Sequence, residues 1–277
     1  MAVGHPFRPP VCSRRAELSP AESDGQPGQT ACNSWQFAPT SHCVAGSRHN
    51  AAVSITVLER EMFAVPEAAR LLELSPSTLT YWLEGGVRRG RTYQPIIREN
   101  STGSRLVTWG EYVEGALLRK YRKNHNVPMA ELRTFIDHVR QSTGVPYPLA
   151  HEHPFVGAGR RLLMKAQEAA GLPEEYWLVA GAGREPLLTP PSDAYFVRVE
   201  WDEDIASGWN PSADERSPVR MRPDERFGLP SVGGVKTEVI WEHLESEDTF
   251  EEVASEFDLT VDEVRWAHAF ETSRRAA

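Results

Sequence analysis

The 277-residue sequence predicts a mainly α-helical protein with small β elements. Three observations support this fold class. Apolar residues recur at helical spacing in residues 63–86 and again in residues 108–141. Short runs between the helical segments alternate apolar and polar residues, as strands do. Three more helical patterns follow residue 226, at 236–244, 250–256 and 261–273.

Residues 63–86 predict two short helices joined by a tight turn. Pro66 suits the first turn of a helix, because a missing N–H costs little there. Ser75 followed by Pro76 is a strong start signal for the second helix, with Ser75 as its N-cap. The side chains predicted to point inward from that helix are Leu79, Trp82 and Leu83. The pair Gly85 and Gly86 ends it.

The outward face of this second helix suits contact with DNA. Small, uncharged residues that carry hydroxyl groups let a helix backbone approach a major groove closely. The predicted DNA-contacting residues at this helix are Ser75, Ser77, Thr78, Thr80 and Tyr81. Of these, we expect Ser77, Thr78 and Tyr81 to lie nearest the bases. The sequence therefore predicts a helix-turn-helix that binds double-stranded DNA.

Residues 90–98 and 104–108 predict two short strands around a turn at 99–103. A β-hairpin that follows a helix-turn-helix is a wing, and its arginines are well placed to meet phosphates or a minor groove. The predicted arginine contacts are Arg88, Arg89, Arg91, Arg98 and Arg105. The alternative is a solvated, arginine-rich hairpin that does not contact DNA.

The rest of the chain predicts further helices and short strands. Thr108 and Glu111 form a capping box that opens a helix to about residue 124, and another helix follows at 128–141. Residues 145–215 combine a helix at 159–170 with candidate strands at 176–179 and 195–201. A second capping box, at Thr260 and Glu263, opens the last helix. The C-terminal helices predict a three-helix, homeodomain-like module.

The charge is divided unequally along the chain, whose formal net charge is −9. Residues 62–145 contain twelve Lys or Arg and eight Asp or Glu, whereas residues 146–277 contain thirteen and twenty-six. The basic excess therefore coincides with the predicted helix-turn-helix, as attraction to phosphates requires. Residues 237–263 contain eleven Asp or Glu and no Lys or Arg, which favours contact with a protein. The predicted partner-contacting residues are Glu251, Glu252, Glu256 and Phe270.

These patterns predict four segments. Residues 1–52 are rich in Pro, Ser and Gly and predict a disordered segment or a mis-annotated extension. Residues 62–144 form the predicted DNA-binding domain, residues 145–224 a small α/β region and residues 225–277 the acidic helical module. No apolar run approaches the roughly 20 residues of a membrane span, so we expect a cytoplasmic protein.

Enzyme chemistry has little support in the sequence. A nucleophile elbow, a phosphate-binding P-loop and a Cys/His nucleophile pair are all missing from residues 53–277. His151 and His153 lack a third metal ligand nearby in the sequence. We therefore expect a protein that is not an enzyme and that has neither a metal site nor a cofactor.

Residues 63–108 resemble the MerR-type winged helix-turn-helix. Members share a pattern near A-R-L-L-x-[LV]-S-x-S-T-L-x-x-W, which residues 69–82 match. Residues 227–237 and 250–264 resemble the bacterial domain-of-unknown-function family 433, whose pattern is G-x-P-x-I-x-G-T-R-I-x-T followed by a helical stretch. The departure lies at 234–236, where the family more often has Thr-Arg-Ile and this chain lacks the arginine.

The two resemblances together are similar to the arrangement of VapB-type antitoxins of toxin–antitoxin systems. They imply a homodimeric repressor that binds its own operator and neutralises a PIN-domain ribonuclease toxin. The alternative is a MerR-like transcriptional regulator that responds to a small-molecule effector without a toxin partner. An effector pocket would then use aromatic residues of the middle region, namely Trp177, Tyr195, Phe196, Trp201 and Trp209. The same aromatics could instead build the core of that region.

Overall fold

The computed structural model describes residues 57–124, 127–182, 185–212 and 214–276. The segment 1–52, predicted to be disordered, lies outside the described residues. The predicted fold class is confirmed, because α-helices are combined with small antiparallel strand pairs. Within the described ranges, none of the helices has both the length and the apolar content needed to cross a membrane.

The elements follow one another from residue 61 to residue 275. The helices are α1 (Val65–Leu71), α2 (Pro76–Glu84), α3 (Trp109–Asn124), α4 (Met129–Thr143), α5 (Gly159–Ala169), α6 (Pro190–Phe196), α7 (Thr237–Glu245), α8 (Phe250–Phe257) and α9 (Val261–Arg275). The strands are β1 (Glu61–Ala64), β2 (Gly86–Arg88), β3 (Arg91–Tyr93), β4 (Leu106–Thr108), β5 (Val179–Ala182), β6 (Glu185–Leu188), β7 (Val199–Asp202), β8 (Ile205–Trp209), β9 (Ser231–Val232) and β10 (Val235–Lys236). The helices predicted on either side of the tight turn correspond to α1 and α2.

The predicted pairing of residues 90–98 with residues 104–108 is wrong. Instead, β3 pairs with β2 in a hairpin, and β4 pairs with β1 from before α1. In the β1–β4 pair Phe63 lies opposite Val107, and both side chains are fully buried. Residues 94–105, between β3 and β4, do not form a strand. Within this segment the N–H groups of Ile96 and Ile97 both donate to the carbonyl oxygen of Trp82 at the inner face of α2.

Two predicted strands of the middle region are also wrong in part. Tyr195, predicted to begin a strand, belongs to α6, and β7 begins only at Val199. Helix α6 starts where Thr189 is followed by Pro190, which occupies the first helical turn. The strand predicted at 176–179 is replaced by a 3-10 turn at Glu174–Tyr176 and by β5, which begins at Val179.

Both predicted capping boxes are confirmed. The N–H of Thr108 donates to Glu111 Oε2 over 2.9 Å, and the N–H of Glu111 donates to Thr108 Oγ1 over 3.3 Å. Thr260 and Glu263 make the same reciprocal bonds at the start of α9. Thr249 caps α8 in the same way, a feature that the sequence analysis did not identify. These caps satisfy amide groups that have no partner within the helix.

One hydrophobic core extends from Leu58 to Met221, and the predicted domain boundary at 144/145 falls within it. Helix α3 connects the two sides of that boundary. Trp109 Nε1 donates to the carbonyl oxygen of Ala206 over 2.6 Å, and the Tyr112 hydroxyl lies 3.3 Å from Met221 Sδ. The predicted DNA-binding domain and the middle region therefore share one core.

A second, smaller core lies in the C-terminal region. It brings together Ile240 of α7, Val253 of α8 and Val264 of α9, and it includes Val219 and Val232 from the segment before them. All five side chains are buried. The C-terminal helices are thus organised around apolar residues of their own.

Candidate nucleic-acid interface

The start and the inward face of α2 fix which of its side chains reach the surface. The backbone N–H of Thr78 donates to Ser75 Oγ over 3.2 Å, so Ser75 is the N-cap, as predicted. Leu79, Trp82 and Leu83 are buried, which confirms the predicted inward face. Because these three residues face the core, Ser77 and Thr80 are exposed on the opposite side.

The hydroxyl groups on α2 lie close to the helix itself. Ser75 Oγ lies 3.1 Å from Ser77 Oγ and 2.8 Å from Thr78 Oγ1. Thr80 Oγ1 donates to the carbonyl oxygen of Pro76 over 2.8 Å. Each hydroxyl oxygen has two lone pairs, so these groups retain the capacity to accept bonds from a ligand. The first two turns of α2 therefore present a polar surface of short side chains, none of which is charged.

The sequence predicted that Tyr81 points outward into solvent. In the structure its ring instead packs against two arginines. The guanidinium carbon of Arg88 lies 3.8 Å from the centre of the Tyr81 ring, and that of Arg133 lies 5.3 Å from it. Tyr93 of β3 meets the same ring edge-on at 6.3 Å. Cation–π contacts of this kind attach the hairpin to α2. Tyr81 therefore positions its neighbours as well as offering a hydroxyl group.

Arg133 is a member of this surface that the sequence analysis missed. It comes from α4, 52 positions after Tyr81, and its Nε donates to the carbonyl oxygen of Gln94 over 2.9 Å. Its Nη2 is buried and has no hydrogen-bond partner. Nothing in the local sequence indicates this position, because the contact depends on how α4 packs beside the hairpin.

The hairpin of β2 and β3 directly follows α2 and is exposed along most of its length. Its two-residue turn, Arg89 and Gly90, has φ values of 52° and 75°, as a type I′ turn requires. Residues 86–92 are all exposed, and they present Arg88, Arg89 and Arg91 to solvent. This arrangement differs from the predicted wing in its strands, but it keeps these three arginines on one hairpin.

Arg98 was predicted to contact phosphates, and its environment corrects that prediction. Its side chain is only 5% exposed. Nε donates to Glu111 Oε1 over 2.7 Å, and Nη1 forms an ion pair with Glu84. The remaining donors bind Thr102 and the carbonyl oxygens of Ser104 and Leu106. A guanidinium group engaged in this way is not available to a phosphate.

Glu84, at the end of α2, belongs to the same network and is partly buried. Burial by itself would raise the pKa of Glu84, but hydrogen bonds from Ser101 and Gly103 and the charge of Arg98 outweigh that effect and lower it. Glu84 is therefore a stable anion that holds the end of α2 against the loop 101–104. Its charge is compensated locally by Arg98, so it adds little net negative charge to this surface.

Arg105 lies apart from the hairpin. It is exposed beside β4, and its carbonyl oxygen accepts a hydrogen bond from the N–H of Val65 at the start of α1. The structure thus groups the predicted DNA-contacting residues around α2 and the hairpin, with Arg105 next to α1 and Arg98 inside the protein.

The predicted partner-contacting residues differ in exposure. Glu251, Glu252 and Glu256 are exposed on α8, and Glu252 also forms the capping box of that helix. Phe270 is partly buried against the second core, and the guanidinium carbon of Arg274 lies 5.6 Å from its ring centre. The acidic residues therefore present a surface, whereas Phe270 contributes to packing.

Three side chains in the described part of the chain are close enough to share a metal ion, namely His243, Asp248 and Glu256. His243 Nδ1 lies 2.9 Å from Asp248 Oδ2 and 3.7 Å from Glu256 Oε2. Imidazole and carboxylate groups are ordinary ligands of divalent metals. The same distances also fit a hydrogen-bonded histidine at a helix end, which needs no ion.

The aromatic residues of the middle region mostly pack against one another. Phe155 contacts Tyr195, Phe196 and Trp201 with ring centres 5.7 to 6.1 Å apart. Trp177 is partly buried against the large core and donates to the carbonyl oxygen of Leu172. These residues therefore build the core of this region, which is the alternative to an effector pocket that the sequence left open.

Comparison with known proteins shows a similar fold but no function. No family model matches the sequence. The chain is 36% identical over 125 residues to the uncharacterized protein Rv2308 of Mycobacterium tuberculosis, a match that covers 45% of this chain and 52% of that protein. The chain thus spans about half the length of this relative. The crystal structure of Rv2018 from the same organism has a similar fold, with a TM-score of 0.61, 23% identity and coverage of 76% of this chain and 98% of that one.

Proposed function

We propose that residues 57–143 form a winged helix-turn-helix that binds double-stranded DNA. The observation that carries this proposal is the exposed hydroxyl face of α2 immediately beside a hairpin with three exposed arginines. In this arrangement α2 enters the major groove and the hairpin contacts the phosphate backbone. The net positive charge of residues 62–145 supports the same assignment.

The proposed contacts fall into two groups. Ser77, Thr78 and Thr80 face the bases, because their short side chains allow the backbone of α2 to approach the groove. Arg89 and Arg91 contact phosphates and thereby fix the orientation of the protein. A homodimer would place two copies of α2 about one helical turn apart, roughly 34–36 Å, on a site with two-fold symmetry.

The test is selection of duplexes from a random library, followed by affinity measurements at several salt concentrations. We expect an enriched sequence and an affinity that falls as the salt concentration rises. Replacing Ser77 and Thr80 together by Glu introduces two carboxylates on the exposed face of α2. Repulsion by the phosphates should then lower the affinity by about tenfold or more.

The matched control is the double variant Ser246→Glu and Ser255→Glu, which adds two carboxylates at exposed positions, one directly after α7 and one on α8. It should bind DNA within about twofold of the unchanged protein, because both positions lie outside the proposed surface. Equal losses in the control and in the α2 variant would show a general effect of charge and contradict the proposal. The absence of any enriched duplex would contradict sequence-specific recognition.

The antitoxin function is a second candidate, favoured by the acidic surface of the C-terminal helices. Residues 237–263 carry eleven carboxylates and no Lys or Arg, and Glu251, Glu252 and Glu256 are exposed. Such a surface is complementary to the basic RNA-binding rim of a ribonuclease. In this proposal the chain represses its own operon and neutralises a PIN-domain ribonuclease toxin.

The test of this second candidate is co-expression with a PIN-domain ribonuclease encoded beside this gene. The nuclease should stop growth when it is expressed alone, and this chain should restore growth. Glu251→Lys should weaken the rescue, because it reverses a charge on the exposed acidic face of α8. Growth arrest that persists in the presence of the unchanged chain would contradict the antitoxin function.

A further inference from the structure

Two adjoining cavities, of about 120 and about 490 Å³, lie between the end of α1 and helices α3 and α9. The residues common to both linings are Leu71, Glu73, Arg119, Arg198 and Pro211. The larger cavity also reaches Trp266 and Phe270 of α9. Together they are in the size range of small-molecule sites, which is roughly 300–1,000 Å³.

Cations outnumber carboxylates around these cavities. Arg119, Lys120 and Arg198 line the smaller one, and Arg274 joins the lining of the larger one. Two carboxylates, Glu73 and Asp214, are the acidic residues of the linings. Glu73 forms an ion pair with Arg119, and Asp214 forms one with Arg216. The cavities are therefore electropositive on balance.

Arg198 has no carboxylate partner among the described residues. Its Nε and Nη2 donate to the carbonyl oxygens of Asn210 and Pro211 over 2.9 and 2.7 Å, and its guanidinium carbon lies 4.6 Å from the ring centre of Trp209. Burial and the nearby charge of Arg119 lower the pKa of Arg198, even though Tyr112 opposes the shift. A guanidinium group in this position gains from a nearby anion.

Arg274 provides a second donor. Its side chain is only 9% exposed, and Nη2 donates to Glu271 Oε2 over 2.6 Å. Its Nε is buried and lacks a hydrogen-bond partner. An unsatisfied N–H on a buried cation is costly, typically about 1–3 kcal/mol or more, unless a ligand or water accepts from it. Arg274 thus adds a second, largely buried guanidinium group to the lining of the larger cavity, in addition to that of Arg198.

We propose that the two cavities form one binding site for a small organic anion with an apolar body. Arg198 and Arg274 bind its carboxylate or phosphate group, and Trp266 and Phe270 contact the apolar part. The site shares Tyr195 and Trp209, which line the smaller cavity, with the aromatic pocket that the sequence suggested for the middle region. It differs from that pocket because it also uses residues of α1, α3 and α9.

The position of the site links it to α2. Leu71 ends α1, and Glu73 lies in the turn two residues before the N-cap Ser75. A ligand that changes the Glu73–Arg119 ion pair therefore acts on the turn between α1 and α2. We expect occupancy of the site to change the affinity for DNA, an output that rests on the proposed DNA-binding function.

The direct test is calorimetric titration of the full chain, without DNA, with benzoate, phenyl phosphate and benzyl alcohol. Benzoate or phenyl phosphate should bind with saturation, and benzyl alcohol should bind at least about tenfold more weakly because it lacks the charge. The tighter of the two anions identifies the carboxylate or the phosphate as the preferred group. No saturable binding of either anion would overturn the proposal.

Arg198→Gln should lower the affinity for the tighter anion by about tenfold or more, since it removes a charge-assisted bond. Arg265→Gln, an exposed position on α9, is the matched control and should leave the affinity unchanged. If Arg198→Gln fails to fold, the affinity of Ala269→Trp for the same anion is measured instead. Ala269 is exposed and lines the larger cavity, so the larger side chain should fill the cavity and weaken binding. Unchanged affinity in the folded binding-site variant would overturn the proposal.

The regulatory output is measured separately, as DNA affinity with and without the tighter anion. The coupling is supported if the anion changes the DNA affinity of the unchanged protein by about threefold or more and does not change that of the folded binding-site variant, Arg198→Gln or Ala269→Trp. An unchanged DNA affinity while the anion binds overturns the coupling but leaves the ligand site. Ligand binding by a chain that binds no DNA would instead contradict the proposed function and leave the ligand site intact.

Discussion

Arg98 joins three segments that lie apart in the sequence. Its guanidinium group bonds to Glu84 at the end of α2, to Glu111 in the first turn of α3, and to the loop between them through Thr102. The same residue was predicted to contact phosphates, because an arginine near a hairpin is usually exposed. Its burial follows from contacts with residues 13 and 14 positions away, which local patterns do not specify.

Arg98→Met should destabilise the protein by about 3–5 kcal/mol, because it leaves two largely buried carboxylates without their cation. Urea unfolding followed by circular dichroism measures this change. Arg91→Met is the control, since Arg91 is exposed on the hairpin and its replacement should change the free energy of unfolding by less than about 0.5 kcal/mol. A loss of stability no larger than that of the control would show that the ion pairs contribute nothing.

At the scale of elements, helix signals were more informative than strand signals. The starts of three helices could be predicted from local signals, namely Ser75 with Pro76 for α2 and the two capping boxes for α3 and α9. Each of these signals depends on residues within a few positions of one another. The same signal at Thr189 and Pro190 identifies the start of α6, but the alternating pattern of residues 195–201 obscured it. Strand pairing failed because the partner of β4 is β1, which lies before both helices.

The candidate site could likewise be predicted only in part, namely for the residues whose position follows from the spacing within one helix. Ser77 and Thr80 could be assigned to the outer face of α2 because Leu79, Trp82 and Leu83 define the inner face by spacing alone. Arg133 could not be found, since it reaches Tyr81 from α4. Residues whose role depends on packing between distant elements give no local signal.

The hairpin is the element on which the phosphate contacts depend. Replacing Arg89 and Arg91 together by Ala should lower DNA affinity by about tenfold or more. If each contacts one phosphate, the slope of log affinity against log salt should decrease in magnitude by about 1.8. Fluorescence anisotropy with a selected duplex at several salt concentrations measures both quantities.

The control for this prediction removes two exposed arginines elsewhere, Arg161 of α5 and Arg265 of α9, again by replacement with Ala. The net charge then changes equally in the two proteins. If both double variants lose the same affinity, the hairpin has no specific role and the effect is one of total charge.

At the scale of the whole molecule, the shared core contains a buried carboxyl group on α3. Glu114 Oε1 accepts a hydrogen bond from the N–H of Leu149 over 3.0 Å, and Oε2 has no partner. Burial raises the pKa of Glu114 to about 8, against the opposing effects of Arg140 and the Leu149 hydrogen bond. The folded protein therefore keeps a proton on Glu114 at pH values where the unfolded chain has lost it.

This proton makes stability depend on pH. Between the ordinary pKa of 4.5 and about 8, the folded state binds one more proton, so the free energy of unfolding should fall as pH rises. The contribution of this group is a slope of about 1.4 kcal/mol per pH unit. Glu114→Gln should lack that contribution, and urea unfolding at pH 5, 6, 7 and 8 measures the difference.

Glu168→Gln, on the exposed side of α5, is the control and should follow the pH dependence of the unchanged protein. A constant difference between the Glu114→Gln variant and the unchanged protein over this pH range would mean that Glu114 does not retain its proton on folding.

The continuity of the large core across residues 144 and 145 also limits how such a chain can recombine. A gene fusion made at that point would give two halves that each expose the apolar surface that α3 and residues 149–221 now bury together. A fusion placed directly after Met221 would keep the buried residues of the large core together and would separate only Val219 from the smaller core. Exchange of whole parts between related genes is therefore expected to involve the C-terminal helices, with residues 57–221 inherited as one piece.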